Sequence, residues 1–336
     1  MVDNQNQAWN LHERLQKYPG YRGMHVSTFA NRQVEEFNPE IGITNSIKKA
    51  YAIRCQYEQE EDAVNKLSEM TQDSQASKLE ALIFGMWHPQ MYAHSSQLVV
   101  DALIAAKDKL TNLKALFIGD ISYDESEISW IIQSDISPVL EAYPKLEVLQ
   151  IRGGDSLAFS PFVKHDNLKA LIIESGGLNR ATIAQICALD LPKLQHLELW
   201  LGSDHYGGDS SIEDLNRILV NPVFPNLFYL GLRNSQYSDD IAKTLVNSPL
   251  INSIKILDLS LGTLTDIGAT ILLNCPVINE FNIINFSENF LSAEMLGYIE
   301  KKEDNIQVRI LTEGQKEPEQ DYDQEDEVYR YCSVAE

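Results

Sequence analysis

Basic residues and cysteines are scarce in this 336-residue chain. Its 27 Lys and Arg stand against 49 Asp and Glu, a formal net charge of −22. Such a surface repels phosphate backbones and anionic lipid, so we expect neither nucleic acid nor a membrane as a partner. A basic protein partner is favoured instead. The four cysteines form no CxxC pair, which indicates free thiols in a reducing compartment.

Long apolar segments and catalytic signatures are also missing. Residues 1–7 are polar and lack the pattern of a signal peptide, and no apolar run reaches the ~18 residues that span a bilayer. We therefore expect a soluble, cytoplasmic protein. There is no GxSxG, HExxH, Walker or dinucleotide motif, so neither an enzyme class nor a cofactor is predicted. His88 and His94 have no third ligand at a clear spacing and indicate a surface loop rather than a metal site.

What the chain does contain is a repeat. An aliphatic residue is followed by others at +3 and +5, in copies spaced 22 to 34 residues apart. The last two positions alternate as they do in a strand with one buried face, and each interval has room for a returning helix. Ser210-Ser211 and Thr265-Asp266 have the residue types that cap a helix start. The clear copies begin at Leu79, Leu113, Leu146, Leu168, Leu194, Leu227, Ile254 and Ile278, with a weaker one at Ala50.

On these residues the chain resembles the leucine-rich-repeat superfamily. Residues 257–269 are similar to its ribonuclease-inhibitor-like subclass, and residues 196–202 and 229–234 to a bacterial cytoplasmic repeat family of unassigned role. The resemblance implies an α/β solenoid, or horseshoe, of about 8–9 repeats. Its parallel sheet would line the concave face and its helices the convex face. Where the subclass places Asn or Cys after the strand, this chain has residues such as Gly154, Gly176 and Gly202, which predict tight turns.

The repeat divides the chain into three parts. Residues 1–47 lack it and are interpreted as an N-terminal cap, residues 48–311 form the solenoid, and residues 312–336 form an acidic tail. Two interpretations of the tail stay open. It is either a solvated segment, or it docks on the solenoid or a partner through Tyr322, Tyr329 and Tyr331.

The positions between the repeated aliphatics should point into the hollow, where neighbouring strands lie ~4.8 Å apart. Trp, Tyr and Arg dominate binding hot spots, although Arg–carboxylate pairing between strands is an equally good interpretation. The glycine-rich turns at 153–156, 175–177 and 202–211 would form a rim beside this face. The predicted partner-binding residues are Arg152, Glu174, Glu198, Trp200, Tyr229, Arg233 and Asp258.

The function predicted from the sequence is a non-catalytic protein–protein interaction scaffold that uses the concave face and the glycine-rich rim. One alternative, by analogy of fold, is a regulator of a GTPase or another enzyme, which needs an exposed arginine such as Arg233. Another is a small-ligand or metal site near His196, His205 and Tyr206.

Overall fold

The computed structural model describes residues 25–56, 62–160, 163–320 and 328–334. It is an α/β structure in which most strands are parallel, which confirms the predicted class. The chain divides into two compact units. Unit 1 comprises residues 1–174 and 188–194, and unit 2 comprises residues 175–187 and 195–336.

In unit 1 the described strands pair in chain order. β1 and β2 are antiparallel, and each later strand is parallel to the one before it. β1 and β2 lie inside the segment interpreted as a cap, whose first 24 residues are outside the described residues. The strands are β1 (Thr28–Phe29), β2 (Arg32–Glu36), β3 (Lys49–Ile53), β4 (Ala81–Phe84), β5 (Ala115–Ile118), β6 (Val148–Arg152) and β7 (Ala170–Glu174).

Short helices connect these strands. The first begins at a typical cap, because the Asp62 carboxylate accepts a hydrogen bond of 2.9 Å from the Asn65 amide. The last has Pro138 in its first turn, where a missing amide hydrogen costs little. Among the described residues of unit 1 the α-helices are α1 (Ala63–Met70), α2 (Gln97–Ala106) and α3 (Ser137–Ala142).

Unit 2 repeats this arrangement. Its sheet strands are parallel and in chain order, and a separate antiparallel pair follows near the end of the chain. The strands are β8 (His196–Gly202), β9 (Tyr229–Ser235), β10 (Ile256–Asp258), β11 (Ile283–Asn285), β12 (Arg309–Leu311), β13 (Glu319–Gln320) and β14 (Val328–Tyr329).

Two helix starts of unit 2 confirm predicted caps. Ser211 forms a capping box with Asp214 at the 3₁₀ helix Ile212–Leu215, and the Thr265 hydroxyl accepts a hydrogen bond from the Ile267 amide. The α-helices are α4 (Arg180–Ile186), α5 (Asn216–Leu219), α6 (Ser238–Leu245), α7 (Asp266–Leu273) and α8 (Ala293–Glu303). In the part of the chain that the structure describes, no helix is both long and apolar enough to cross a bilayer.

The repeated aliphatics form the core of each unit because the strand register stacks them. In unit 1, Leu82, Leu116, Leu149 and Leu171 are partners on successive strands and have no exposed surface. Burying one such side chain stabilises the fold by about 1.5 to 3 kcal/mol. The equivalent column in unit 2 consists of Leu197, Leu230, Leu257, Ile284 and Ile310.

The predicted frame is wrong in the first and last copies of the repeat. Leu257 pairs with Ile284 rather than Phe281, so the last copy runs Phe281, Ile284, Phe286. In the weak first copy Tyr51 pairs with Leu82, which moves that frame by two residues. The physical reason is that the true positions carry the buried side chains, since Ile284 and Phe286 have no exposed surface. Asn285 is therefore the partner of Asp258 on the neighbouring strand.

Candidate functional site

Two of the predicted site residues lie in unit 1 and pair with each other. Arg152 and Glu174 are opposite on β6 and β7, and the Arg152 Nε donates to Glu174 Oε2 at 2.8 Å. Gln150 donates to the other carboxylate oxygen at 2.8 Å. Arg152 also donates to the Ile121 carbonyl at 2.7 Å, and its guanidinium lies 5.3 Å from the centre of the Phe117 ring. This pair is buried, with exposures of 2% and 1%.

The other five predicted residues form a network in unit 2. Glu198 is at its centre, because Trp200 Nε1 and Arg233 Nη1 both donate to its Oε1, at 2.8 and 2.9 Å. The Arg233 guanidinium also lies 5.2 Å from the centre of the Trp200 ring. The Tyr229 hydroxyl lies 3.4 Å from the second oxygen of Glu198. His196 stacks on the Tyr229 ring at 3.8 Å between centroids.

Asp258 is the second carboxylate of this network. It accepts hydrogen bonds from the Tyr229 hydroxyl at 3.0 Å and from Asn285 at 3.1 Å. Its other oxygen accepts from the Ser260 amide at 3.0 Å and lies 3.5 Å from Arg233 Nε. One guanidinium therefore bridges two carboxylates on different strands, an arrangement that fixes the positions of β8, β9 and β10 relative to one another.

These residues do not form the solvent-exposed face that the sequence predicts. Glu198, Trp200, Tyr229, Arg233 and Asp258 all have no exposed surface. Their hydrogen bonds join neighbouring strands, which is the alternative interpretation of these residues. Removing one partner of a buried ion pair costs about 3 to 5 kcal/mol, so these side chains act first on the fold. A direct contact of theirs with a partner stays a prediction. Arg233 is buried, whereas regulation of a GTPase requires an exposed arginine.

The glycine-rich turn after β8 brings two backbone segments into close contact. Gly202 has a φ of +68°, and a Cβ placed there would lie 1.8 Å from the Gly176 carbonyl oxygen. That carbonyl accepts a hydrogen bond of 3.0 Å from the Ser203 amide. Only glycine allows this approach. The predicted tight turn is therefore present at Gly202.

An open cleft of about 640 Å³ lies beside this turn. It is lined by the turn and the start of the helix α6 and by the end of β14 with the three residues that follow it. Three exposed carboxylates line the cleft, with Arg330 the opposing cation. The turn and the tyrosines were both expected from the sequence, but their position in the lining of one cleft was not. The lining includes Ser203, Asp204, His205, Glu213, Tyr237, Asp240, Tyr329, Arg330, Tyr331 and Cys332.

The floor of the cleft is buried and polar. The Tyr237 hydroxyl lies 3.0 Å from the Ser210 hydroxyl, and burial raises the pKa of Tyr237 to about 12. Burial likewise raises the pKa of the Cys332 thiol to about 12, which keeps the thiol protonated at neutral pH. These groups are therefore neutral, and the charge of the cleft comes from its exposed carboxylates.

The segment that closes the cleft is docked on unit 2. We call residues 331–334 the strap, and its residues Cys332, Ser333 and Val334 are buried. The Asn234 side-chain amide donates to the Val334 carbonyl and accepts from the Val334 amide at 2.9 Å. Of the tyrosines that the sequence analysis considered as anchors, Tyr322 is outside the described residues and Tyr331 packs edge-on against Phe290.

The histidines considered as metal ligands lie in different surroundings. His196 is buried against Tyr229, whereas His205 is exposed at the cleft. The rings of His88 and His94 lie 3.8 Å apart between centroids at an interplanar angle of 35°, and burial followed by the charge of His94 lowers the pKa of His88. Within residues 25–56, 62–160, 163–320 and 328–334, no group of three or more His, Cys, Asp or Glu side chains is placed to hold a metal ion.

Comparison with known proteins gives a likeness of fold. No protein-family model and no curated protein sequence matches the chain. The crystal structure of a Bacteroides fragilis protein, determined as a structural genomics target, is similar to it with a TM-score of 0.75 and 29% sequence identity. The similarity covers 85% of this chain and 77% of that protein. This chain therefore shares its α/β architecture with a bacterial protein over most of the length of both.

Proposed function

We propose that this chain is a non-catalytic interaction scaffold that binds a basic segment of a partner protein in the cleft at its glycine-rich rim. The observation that carries the proposal is the cleft lining, in which the carboxylates Asp204, Glu213 and Asp240 are exposed together with Tyr329, while Tyr331 is half-buried. The leucine-rich-repeat horseshoe of eight to nine repeats expected from the sequence belongs to the same proposal. So does a cytoplasmic location, with which the four free cysteines agree.

Carboxylates beside tyrosine rings favour a cationic side chain. A Lys or Arg is attracted by the carboxylates, and the face of a tyrosine ring adds about 0.5 to 1 kcal/mol at an exposed site. The net charge of −22 extends this preference, because a field of one sign steers an oppositely charged partner towards the cleft. Arg330 weakens the preference without reversing it, since three carboxylates face it.

The shape and polarity of the cleft favour a protein segment over a small metabolite. Sites for small molecules are concave and mostly apolar, and they enclose most of the ligand. Here the charged lining residues Asp204, Glu213, Asp240 and Arg330 are exposed to solvent. Such a cleft accepts one or two long side chains of a partner whose remaining surface lies outside.

Five of the seven residues predicted as a binding face, those of unit 2, contribute indirectly in this proposal. Their network holds β8, β9 and β10 in register, and the turns that line the cleft follow β8 and β9. A substitution such as Arg233→Met therefore changes the cleft through the fold rather than through a lost contact with the partner.

The test is direct binding of a basic probe to the full chain. We expect a fluorescent peptide of alternating lysine and glycine to bind, and the triple variant Asp204→Asn, Glu213→Gln, Asp240→Asn to bind it at least about tenfold more weakly. Affinity should also fall as NaCl is raised from about 0.05 to 0.3 M. Fluorescence anisotropy measures both effects.

A matched control separates the cleft from general acidity. The variant Asp108→Asn, Asp124→Asn, Glu141→Gln removes the same charge from exposed positions of unit 1. It should bind the probe within about twofold of the unmodified chain. Equal weakening by both triple variants, or no binding of the probe by the unmodified chain, would contradict the proposal.

A further inference from the structure

The strap contacts the same position of three successive repeats. Asn234, Leu261 and Glu288 each lie four residues after the aligned core residues Leu230, Leu257 and Ile284. All three are non-glycine residues with left-handed backbone, with φ values of +52°, +69° and +52°. Backbone of this kind costs about 1 to 3 kcal/mol per residue and is typical of ligand-binding sites.

Each of these turns presents a hydrogen-bonding group to the strap. The Asn234 amide pairs with both backbone groups of Val334, and the Leu261 carbonyl accepts from the Ser333 amide at 2.8 Å. The Glu288 carbonyl lies 3.5 Å from the Ser333 hydroxyl. The three equivalent left-handed positions thus contact one short segment, residues 333–334.

Lys316 holds the other end of the strap. Its Nζ donates to the Tyr331 carbonyl at 2.6 Å, to the Ser333 hydroxyl at 3.0 Å and to the Gly262 carbonyl at 3.0 Å. The same ammonium group lies 4.5 Å from the Phe290 ring centre and 4.9 Å from that of Tyr331. An aromatic residue followed by small ones therefore fits this groove.

Most of these contacts are hydrogen bonds to backbone atoms of the strap. In the strap, the Asn234 side chain bonds the main-chain amide and carbonyl of Val334, and the Leu261 carbonyl accepts from the Ser333 amide. The side chains that the groove buries, those of Cys332, Ser333 and Val334, are small. Recognition of this kind does not depend on the segment belonging to the same chain, because Val334 is 100 residues from Asn234 in the sequence.

We propose that the turns carrying Asn234, Leu261 and Glu288, together with Lys316, form a binding groove for a short peptide segment of a partner protein, and that the strap is an intramolecular ligand that this peptide displaces. The peptide has the strap's pattern, an aromatic residue, a small residue, serine and valine. The groove is a second site that shares Tyr331 and Cys332 with the cleft of the proposed function, and its occupation does not require that the cleft bind anything.

Competition sets how the groove behaves. A tethered ligand has an effective concentration of roughly millimolar, so a free peptide of equal intrinsic affinity displaces it only weakly. Weakening the strap without altering the groove should therefore increase the apparent affinity for free peptide. This opposite response of strap and groove variants is the signature of an intramolecular ligand.

Cys332 provides the readout in the full chain. This residue of the docked strap is 6% exposed, and its thiol lies 3.6 Å from the Gly202 carbonyl oxygen. Undocking exposes the thiol to iodoacetamide, and mass spectrometry locates the alkylated cysteine. Cys55, Cys187 and Cys275 are buried elsewhere in the fold and report general unfolding in the same sample.

The probe is a synthetic peptide with the sequence of residues 329–336 and serine in place of its cysteine. We expect the peptide to raise the rate of Cys332 alkylation in a saturable manner and to leave the other three cysteines unchanged. Ser333→Pro removes the amide hydrogen that the Leu261 carbonyl accepts. The basal rate of Cys332 alkylation in this variant should therefore be at least about tenfold higher, and the variant should bind labelled peptide more tightly. Asn234→Ala should also raise the basal rate of Cys332 alkylation, but this variant should no longer bind the labelled peptide.

The exposed tail substitution Val328→Ala is the control and should change neither rate nor affinity. A rate of Cys332 alkylation that stays constant up to about 1 mM peptide in both the unmodified chain and Ser333→Pro would overturn the proposal, because the strap would then be a permanent part of the fold. Equal peptide binding by Asn234→Ala would place the peptide outside this groove. Dimers formed by exchange of straps between copies, without displacement by peptide, would overturn the partner assignment.

Discussion

The neutral ring of His165 is held in one tautomer by its hydrogen-bond partners. Its Nδ1 accepts hydrogen bonds from the backbone amides of Leu168 at 2.9 Å and Asn167 at 3.3 Å, so Nε2 carries the hydrogen and donates to the Tyr143 carbonyl at 3.1 Å. The ring is 2% exposed. Burial lowers the pKa of His165 below 6.5, more than its bonds to backbone groups raise it.

This residue should make unit 1 less stable in mild acid. The folded-state pKa lies below that of the unfolded chain, so its contribution is full above about pH 6.5 and is lost as the pH falls through the folded-state pKa. We expect the melting temperature to fall between pH 7.5 and pH 5. His165→Asn keeps an acceptor but cannot be protonated, so it should lower stability by about 1 to 3 kcal/mol with a flatter pH dependence. Parallel curves for both proteins would contradict this assignment.

The pairing of site residues was predictable from the sequence, but their burial was not. The +3/+5 pattern specifies strand register, which places Arg152 opposite Glu174 and Trp200 opposite Arg233, as the structure has them. Exposure depends on what covers a strand face, and the repeat pattern carries no information about that cover. Asn234 was missed as well, although Asn directly after a strand is a residue type that adopts left-handed backbone.

At the scale of elements, the turn after β8 is expected to be the least tolerant of substitution. Gly202→Ala would place a methyl group on the Gly176 carbonyl and strain the backbone, so it should lower the free energy of unfolding by about 3 kcal/mol or more. Gly207 is the matched control, because it has a φ of +90° but nothing within 4 Å of an added Cβ. Gly207→Ala should lose only about 1 kcal/mol. Thermal unfolding compares the two, and similar losses would show that backbone strain alone matters.

The strands of central repeats were predictable, and those of the terminal repeats were not. Leu197, Leu230 and Leu257 fit one frame only, and the register confirms it. Around β11 the residues Ile278, Phe281, Ile283, Ile284 and Phe286 satisfy two overlapping frames, so the pattern alone does not choose. Packing decides between them, because the strand must align Ile284 with Leu257 and Ile310.

At the scale of the whole molecule, the net charge of −22 should make stability depend on salt. Repulsion among like charges acts over about 30 Å at 0.01 M salt but only about 10 Å at 0.1 M, so added salt relieves it. We expect the melting temperature to rise by a few degrees between about 0.01 and 0.3 M NaCl. Choline chloride should act equally if screening is the cause. A stabilisation by NaCl alone would indicate a specific sodium site instead.

Docking of the tail was left open by the sequence because it depends on contacts across the whole of unit 2. The acidic composition of residues 312–336 favours solvation, while the tyrosines favour an anchor. The structure forms the anchor with Lys316 and Asn234, of which the second lies 100 residues from its partner. No local pattern encodes a contact at that separation.

That separation also gives the strap a place in the order of synthesis. A ribosome adds about 5 to 20 residues per second, so Val334 leaves the peptidyl-transferase centre roughly 5 to 20 s after Asn234. Closing a loop of this size is itself far faster than that interval. Every nascent chain therefore passes through a period of seconds in which the turns around Asn234 are already made and their own strap does not yet exist.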